Sequence, residues 1–391
     1  MTSGPLSGLE VLELAGIGAC PFAAMVLADL GADVLRVERA EAVPDEVPAD
    51  AAWDLLQRGK RSIGVNLKEP AGVALVLDLV SRADVLVEGF RPGVTERLGL
   101  GPTECHEVNA RLVYGRMTGF GQKGPLAASA GHDIDYIALS GVLGLIGREG
   151  ERPLPPINLV GDFGGGGMVL ALGVVSALWS ASRTGCGQVV DASMVDGAAL
   201  LATMMWSFRH SGVWSDRRGT NLLDTGAPFY EVYECADGRH VAVGALEPQF
   251  FKELLDLLGD QGGEPVVQND RAWWREGKRL YAEVFRTRPR DEWVALAEGR
   301  DACIAPVLSA AEAETHPHNV ARSTFVEVGG VVQPGPAPRF SATPAAVDRP
   351  PCWPGEGGAD ALGERGIEAD RIRRLRAAGT LCVVDQRRAT C

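Results

Sequence analysis

The chain has 391 residues, of which 46% are hydrophobic and 23% are charged, the composition of an ordinary globular protein. Its 38 Lys and Arg residues against 51 Asp and Glu residues give a formal net charge of −13, which argues against binding to nucleic acid or to an anionic membrane surface. The eight cysteines include no CxxC pair, so we expect reduced thiols, no zinc site and a cytoplasmic location.

Strands and helices alternate through residues 1–120. The patterns predict strands at 9–15, 33–38, 84–88 and 112–116, and helices at 21–30 and 69–83. Strands that alternate with helices form a parallel sheet with helices on its faces. The predicted fold class is therefore α/β, with a Rossmann-like large domain.

The pattern changes after a glycine-rich region. A strand is predicted at 188–191, a long helix at 193–210, and a hairpin at 228–234 and 240–244 with its turn at Asp237-Gly238. Helical patterns follow at 247–258, 272–286 and 291–297, and a last helix at 362–378. We therefore predict a large CoA-binding and catalytic domain at 1–191, a helical linker at 192–224, a small α+β domain at 225–300, a return linker at 301–330 and a C-terminal segment at 331–391 that packs on the large domain.

Apolar runs are short. No run reaches the roughly 18 residues that a membrane span needs. The longest run, at 168–179, predicts a buried helix, and the first residues lack the basic and apolar regions of a signal peptide. We therefore predict no membrane span.

Basic residues follow the ends of several predicted strands. Arg39 follows one strand, Arg91 follows another, and the run 57–62 contains three cations. The carboxyl ends of parallel strands lie at one edge of a sheet, where ligands bind in open α/β folds. Cations gathered there in an acidic protein favour an anionic ligand with phosphate groups, although each one alone is more typical of a solvated surface.

Two further motifs are incomplete. Gly16-Ile17-Gly18 lies where a dinucleotide fingerprint would begin, but Pro21 replaces the third glycine, so a tight turn is favoured over a nicotinamide or flavin site. His316-Pro317-His318 has no third ligand nearby in sequence, which favours a loop over a metal site. The sequence therefore predicts neither a metal nor a cofactor.

Three ionisable residues lie at positions that suit catalysis. His132 precedes a predicted helix, whose positive end favours the neutral imidazole that can accept a proton. Asp162 precedes four glycines, which allow a close approach of the backbone. Glu247 begins a helix, an ordinary position for an acidic residue. Singly, a structural role is the more common one for His132, and helix capping is an alternative for Asp162.

Five motifs together resemble the family III CoA-transferase superfamily and, within it, the α-methylacyl-CoA racemases. They are Gly-Lys-Arg-Ser at 59–62, Arg-Pro-Gly-Val at 91–94, Gly-Phe-Gly-Gln at 119–122, Gly-His-Asp at 131–133 and the glycine run after Asp162. The resemblance extends from Leu6 to Phe340. It departs from the family at Asn66, where many relatives carry Asp, and in the tail after Pro351.

The resemblance implies an enzyme that moves a proton at the carbon α to a CoA thioester. His132 and Asp162 would be two bases on opposite faces of an enolate, the backbone N–H of Asp133 the oxyanion donor, and Glu247 the acid that hydrogen-bonds His132. The residues implied to bind CoA are Arg39, Val65, Asn66, Leu67, Lys68, Gly89, Phe90, Arg91, Arg97, Gly131, Ile134, Asp135 and Tyr136. The implied assembly is an interlocked homodimer in which Glu247 reaches the site of the partner chain, with CoA present only as part of the substrate.

Two other functions stay open on the sequence. A CoA-transferase of the same superfamily would use Asp162 as a nucleophile, and such enzymes tend to carry Gly-Gly-Gly-Gln where this chain has the run 224–228. A non-catalytic acyl-CoA-binding protein would need none of the ionisable residues. The presence of His132, Asp162 and Glu247 together favours a racemase of lipid metabolism, and leaves the acyl chain open.

Overall fold

The structure is a computed structural model that describes residues 4–45, 54–259 and 268–384. Its strands are β1 (Glu10–Leu14), β2 (Asp33–Arg39), β3 (Lys60–Val65), β4 (Val85–Glu88), β5 (Val113–Thr118), β6 (Gln188–Ser193), β7 (Tyr230–Glu234), β8 (His240–Gly244), β9 (Ile304–Pro306), β10 (Phe325–Val328), β11 (Val331–Pro334) and β12 (Leu381–Cys382).

The helices lie between these strands. They are α1 (Ala19–Asp29), α2 (Pro70–Val80), α3 (Val94–Arg97), α4 (Pro102–Val108), α5 (Asp133–Leu139), α6 (Val142–Leu145), α7 (Val169–Thr184), α8 (Met194–Leu201), α9 (Thr203–His210), α10 (Pro248–Leu258), α11 (Arg271–Phe285), α12 (Arg290–Ala297), α13 (Ala310–Thr315), α14 (Pro317–Ala321), α15 (Gly358–Glu364) and α16 (Ala369–Ala377). A π-helix, Leu159–Met168, runs directly into α7.

Seven strands form one sheet in the order β12-β3-β2-β1-β4-β5-β6. β1 to β6 are parallel, and β12 pairs with β3 in the antiparallel direction. Both faces are covered: Leu12 and Leu35 belong to a core that includes Leu75 of α2, whereas Val11 and Val34 belong to a core that includes residues of α1 and α7. Burial on two faces explains why these strands are apolar runs. The predicted α/β class is confirmed.

Contacts divide the chain into two compact units. The first comprises Met1–Ser140, Ile157–Leu201 and His318–Cys391, and the second comprises Gly141–Pro156 and Ala202–Pro317. The first unit contains the seven-stranded sheet. The second contains the antiparallel sheet β7-β8-β9, covered by helices that include α10, α11 and α12. The predicted β7–β8 hairpin is confirmed, with Gly238 of its turn at φ +75°.

The unit boundaries differ from the predicted domain boundaries. The predicted linker 192–224 divides between the units at residue 202. Residues 141–156, predicted within the large domain, belong to the second unit, where the Arg218 guanidinium donates to the carbonyls of Gly144 and Glu151. The chain rejoins the first unit at residue 318 and not after 330. These boundaries depend on contacts between residues that are distant in sequence. The local composition of the chain therefore does not predict them. Residues 385–391 of the predicted C-terminal segment lie outside the described residues.

Two predicted helices are each two helices in the structure. The helix predicted at 193–210 is interrupted at Ala202, whose ψ of 10° separates α8 from α9. The helix predicted at 362–378 is interrupted at Gly366, which adopts a φ of +72° between α15 and α16. A positive φ cannot continue a right-handed helix. The strand β3 was not predicted. It begins with two charged residues, Lys60 and Arg61, which are unusual in a strand that is buried throughout.

The helical stretch Leu159–Thr184 is long and apolar enough to cross a membrane by length and composition. It exceeds the predicted 168–179 run because the π-helix precedes α7 without a break. In the structure, Leu170, Val174 and Ala177 of this stretch are buried in the core beneath the sheet. We therefore interpret it as a core helix of the first unit.

Candidate active site

A cleft of about 520 Å³ lies in the first unit, at the carboxyl edge of the parallel sheet. The strand order reverses between β1 and β4, and the segments that follow these strands, 17–20 and 89–92, both line the cleft. Ligands of open α/β folds bind at such a reversal, where the connecting segments diverge. The other lining residues are 117–120, 127, 129–132, Tyr136, Asp162 and Met194.

His132 is the N-cap of α5, and its exposed side chain lines the cleft. Its backbone N–H donates a hydrogen bond of 2.9 Å to Oδ2 of Asp135. The Tyr136 hydroxyl donates to the carbonyl of Gly131, and a Cβ at Gly119 would lie 2.0 Å from the Tyr136 ring. The first turn of α5 and two glycines thus hold the loop that presents His132.

Asp162 lies in the first turn of the π-helix, half-buried at the cleft. The Asn158 amide donates to its Oδ2 at 3.0 Å. Burial raises the pKa of Asp162 above its ordinary value; the Asn158 hydrogen bond opposes this, the charge of Asp133 adds to it, and His132 opposes it. A carboxyl with a raised pKa can both hold and release a proton closer to neutral pH, as acid–base catalysis requires.

The glycines that follow Asp162 permit backbone-to-backbone packing. A Cβ on Gly197 of α8 would lie 1.8 Å from the carbonyl oxygen of Gly165, and a Cβ on Gly167 would lie 2.8 Å from the carbonyl oxygen of Ala19 in α1. Larger residues cannot occupy such positions without a shift of the backbone. The π-helix is therefore held between α1 and α8, and π-helical turns are frequent at functional sites.

The run of cations at 57–62 is not a ligand site, which corrects the expectation from the sequence. Its cations are buried and paired with carboxylates of the first unit: Arg58 with Asp29, Lys60 with Glu13, and Arg61 with Asp33 and Glu364. Arg58 precedes β3 and the other two lie in it, so the sheet and its covering elements enclose them. Arg58 and Lys60 thus compensate the buried acids Asp29 and Glu13, whereas the partners of Arg61 lie nearer the surface.

Two buried cations, Arg36 and Lys60, hold the turn at 16–21 beside the cleft. Arg36 donates to the carbonyl of Gly16 at 3.1 Å, and Lys60 donates to the carbonyl of Pro21 at 2.9 Å. Gly18 adopts a φ of +69°, and a Cβ there would lie 3.4 Å from Oδ2 of Asp162. The incomplete glycine motif is a tight turn between β1 and α1, as predicted.

A second buried pair supports the loop after β4. The Phe90 N–H donates to Oε2 of Glu88 at 2.7 Å, and Arg116 donates to Oε1 of the same carboxylate at 2.8 Å. Arg116 also pairs with Glu96. Glu88 is fully buried, so this pairing orients the loop that places Arg91 at the cleft.

The structure gathers seven predicted site residues at this cleft: Gly89, Phe90, Arg91, Gly131, His132, Tyr136 and Asp162. Arg39 ends β2, and Arg97 ends α3; both are exposed and neither lines the cleft. Val65 is buried at the end of β3, so only its backbone can meet a ligand, whereas Asn66, Leu67 and Lys68 form the turn before α2. Ile134 and Asp135 are exposed on α5, and the Asp133 side chain is buried beneath the cleft.

Glu247 lies in the second unit. It is the N-cap of α10, with an exposed side chain, and its carbonyl accepts a hydrogen bond of 2.9 Å from the Phe251 N–H. Burial and the charge of Glu247 both raise the pKa of the Cys303 thiol. The predicted contact of Glu247 with His132 stays a prediction.

Two residues at the site were missed in the sequence. Asn158 stands four residues before Asp162, a spacing that brings side chains together on a helix, and this spacing was the available signal. Ile17 is 86% exposed and lines the cleft between two glycines. Among the described residues, no three His, Cys, Asp or Glu side chains cluster as a metal site requires.

Comparison with known proteins agrees with this geometry. The family model for CoA-transferase family III matches residues 6–359. The chain belongs to CoA-transferase family III. It is 46% identical to the alpha-methylacyl-CoA racemase of Mus musculus and 45% identical to that of Homo sapiens, in each case over 95% of this chain and 96% of the relative.

A solved structure of the same family has the same fold. The crystal structure of a CAIB/BAIF family protein from Brucella suis matches with a TM-score of 0.80 and 29% identity, over 93% of this chain and 100% of that chain. In this family III chain, the motifs at 91–94, 119–122 and 131–133 each contribute residues to the cleft that contains Asp162. The resemblance seen in the sequence is therefore confirmed at the level of the family and of the fold.

Proposed function

We propose that this protein is an α-methylacyl-CoA racemase. It inverts the 2-methyl stereocentre of 2-methylacyl-CoA thioesters by 1,1-proton transfer through an enolate. The observation that carries the proposal is that His132 and Asp162, from different elements, line one cleft at the carboxyl edge of the sheet. The identity of 45–46% to racemases over nearly the whole chain supports it.

The two residues suit inversion because an enolate is planar and has two faces. One base removes the α-proton from one face, and the conjugate acid of the other returns a proton to the opposite face. A positioned base contributes roughly 10²- to 10⁴-fold, so the rest of the barrier must fall through stabilisation of the enolate oxygen. In this proposal the backbone N–H of Asp133, at the start of α5, is the donor to that oxygen.

The remaining predicted residues serve binding. Gly89, Phe90 and Arg91 at the cleft contact the CoA moiety of the substrate, together with Arg39, Arg97, residues 65–68, Gly131, Ile134, Asp135 and Tyr136. The exposed guanidinium of Arg91 suits a phosphate group. The reaction as proposed requires no metal, flavin or nicotinamide, since proton transfer involves no net change of oxidation state.

We further propose a cytoplasmic homodimer that acts in lipid metabolism. Leu172, Val175 and Trp179 of α7 lie on one helix face and are 67%, 38% and 67% exposed in the single chain. Exposed apolar side chains at this spacing are typical of a surface that a protein partner covers. In the interlocked dimer implied by the family, Glu247 would hydrogen-bond His132 of the partner chain.

Incubation with single enantiomers of 2-methylacyl-CoA in D₂O tests the proposal. A racemase incorporates one deuterium at the α-carbon and yields both enantiomers with no second acid present. A family III CoA-transferase would instead transfer CoA only when an acceptor acid is supplied, with Asp162 as nucleophile. A protein that only binds acyl-CoA would do neither. The absence of α-exchange across a panel of straight-chain, branched and aryl 2-methylacyl thioesters would refute the racemase.

A further inference from the structure

The carboxylate of Asp133 is buried beneath the cleft. The residue is 6% exposed, and its Oδ1 accepts a hydrogen bond of 2.7 Å from the backbone N–H of Asp162. Its Oδ2 is shielded from solvent and receives no hydrogen bond from the described part of the chain. One hydrogen bond is poor compensation for a buried ionised carboxylate, because a buried charge needs several partners or an opposite charge. The single hydrogen bond therefore does not explain why an acidic residue, and not a neutral one, stands at position 133.

Gly161 allows this carboxylate to reach the π-helix. A Cβ at Gly161 would lie 2.3 Å from Oδ1 of Asp133 and 3.2 Å from Ile137. Any larger residue at 161 would displace Asp133 from the Asp162 N–H. Gly161 and the carboxylate of Asp133, 28 residues apart in sequence, thus pack directly against each other next to Asp162.

An acceptor without charge could satisfy the Asp162 N–H equally well. The side-chain oxygen of an asparagine accepts the same hydrogen bond without burying an ionised group. What an aspartate adds is a negative charge on the inner side of Asp162, whose other neighbours include the Asn158 amide and His132. A like charge next to a carboxylate disfavours its ionised form.

We propose that the side chain of Asp133 is a positioning residue for Asp162: it fixes the turn that carries this carboxyl and strengthens its hold on a proton. The inference rests on the proposed role of Asp162 in proton transfer, and is separate from the role of the Asp133 backbone N–H. Burial is the larger cause of the raised pKa of Asp162, and the Asp133 charge acts in the same direction.

The other titratable groups near Asp162 come from α5, from the loop after β4 and from α1. His132 at the start of α5 opposes the rise in the pKa of Asp162, and burial together with the charge of Asp162 raises the pKa of the Tyr136 hydroxyl in α5. Arg91 from the loop after β4 and Cys20 of α1 also line the cleft. None of these groups is altered in the test that follows, so a change in Asp162 can be assigned to position 133.

The test compares Asp133→Asn with wild type and with Asp196→Asn. Asp196 is an exposed acid in the first turn of α8, which packs on the π-helix, so its replacement removes the same formal charge from the solvent side. The titration of Asp162 is followed by NMR of protein labelled with ¹³C-aspartate, with the signal assigned through Asp162→Asn. We expect Asp133→Asn to lower the titration midpoint by roughly one pH unit, and Asp196→Asn to leave it unchanged.

The pH profile of α-exchange provides the second readout. α-Exchange is followed separately from each enantiomer in its early phase, before inversion accumulates. For the enantiomer whose proton Asp162 removes, the acidic limb of kcat/KM should move down by the same amount in Asp133→Asn, whereas exchange from the other enantiomer, whose proton His132 removes, should keep its limb. Gly161→Ala, which displaces the carboxylate, should move the limb the same way, and the double variant should add no further shift. A merely structural role would lower exchange from both enantiomers equally and leave the limb in place.

Several results would overturn the inference. An unchanged midpoint in folded Asp133→Asn, or an equal shift in Asp196→Asn, shows that the Asp133 charge does not act on Asp162. If Asp133→Asn does not fold, Asp133→Ser replaces it, and if neither variant folds, Gly161→Ala decides, because an unshifted acidic limb in that folded variant would overturn the inference. If wild type exchanges no α-proton, the proposed function fails, whereas the NMR titration still decides the effect of Asp133.

Discussion

Nζ of Lys60 donates a hydrogen bond of 2.7 Å to Oε2 of Glu13, with both side chains completely shielded from solvent. Lys60 also donates to the carbonyl of Pro21, and Arg36 pairs with the second oxygen of Glu13. Glu13 lies on β1 and Lys60 on β3, the two strands that flank β2, and the pair lies beside the turn that lines the cleft. The buried charges of Glu13, Lys60 and Arg36 thus hold the turn at 16–21 that borders the candidate active site.

Lys60→Met should therefore destabilise the protein strongly. It leaves Glu13 with one cationic partner and the Pro21 carbonyl without its donor, and breaking a buried pair costs about 3–5 kcal/mol. Urea unfolding measures the loss. Lys252→Met, at an exposed position of α10, is the matched control and should change the free energy of unfolding by no more than about 0.5 kcal/mol. Equal stability of the two variants would contradict the assignment.

His132→Ala and Asp162→Ala should each abolish racemisation and leave CoA affinity within a few-fold, because neither side chain is assigned to the nucleotide. Each variant keeps one base, so α-exchange from a single enantiomer can survive, and the surviving enantiomer should differ between the two. Exchange is measured by mass spectrometry in D₂O. Full racemisation by either variant would exclude the two-base mechanism.

Arg91→Ala and Arg39→Ala should raise KM far more than they lower kcat, the signature of lost uniform binding. Arg91 lines the cleft and Arg39 does not, so the effect of Arg91→Ala should extend to short CoA fragments that reach the cleft. Steady-state kinetics and direct titration with CoA check both points. A normal KM with a collapsed kcat would instead place the arginine in the chemistry.

Asp162→Asn should raise the unfolding temperature at pH 8. The folded-state pKa of Asp162 is raised, mainly by burial, so ionisation of this carboxyl destabilises the fold above that pKa. The neutral amide removes this effect while the Asn158 amide keeps an acceptor. The advantage should shrink as pH falls through the folded pKa and vanish below the pKa of the unfolded chain. Thermal scans across pH measure it, and an advantage independent of pH would contradict the sign of the shift.

Glu247→Gln should weaken racemisation substantially, though less than His132→Ala, because the amide keeps the geometry but stabilises the imidazolium less. A mixed dimer of a Glu247→Ala chain with a His132→Ala chain should recover one working site of two, since one interface would hold both native residues. Differently tagged chains allow the mixed dimer to be isolated and assayed. A folded mixed dimer as inactive as its parents would show that the two residues do not meet across an interface.

The sequence by itself determined the α/β class, most elements of the sheet and the motifs that carry His132, Asp162 and Arg91. Periodicity and turn residues are local properties, so they can be read without a structure, as at the Asp237-Gly238 hairpin. The structural roles of Glu13, Asp133 and Gly161 could not be predicted in this way. Their roles come from partners 28 to 47 residues away, at Lys60, Asp162 and Asp133. Only the tertiary structure decided that Arg58 and Lys60 neutralise the buried acids Asp29 and Glu13, because solvation depends on what the rest of the chain covers.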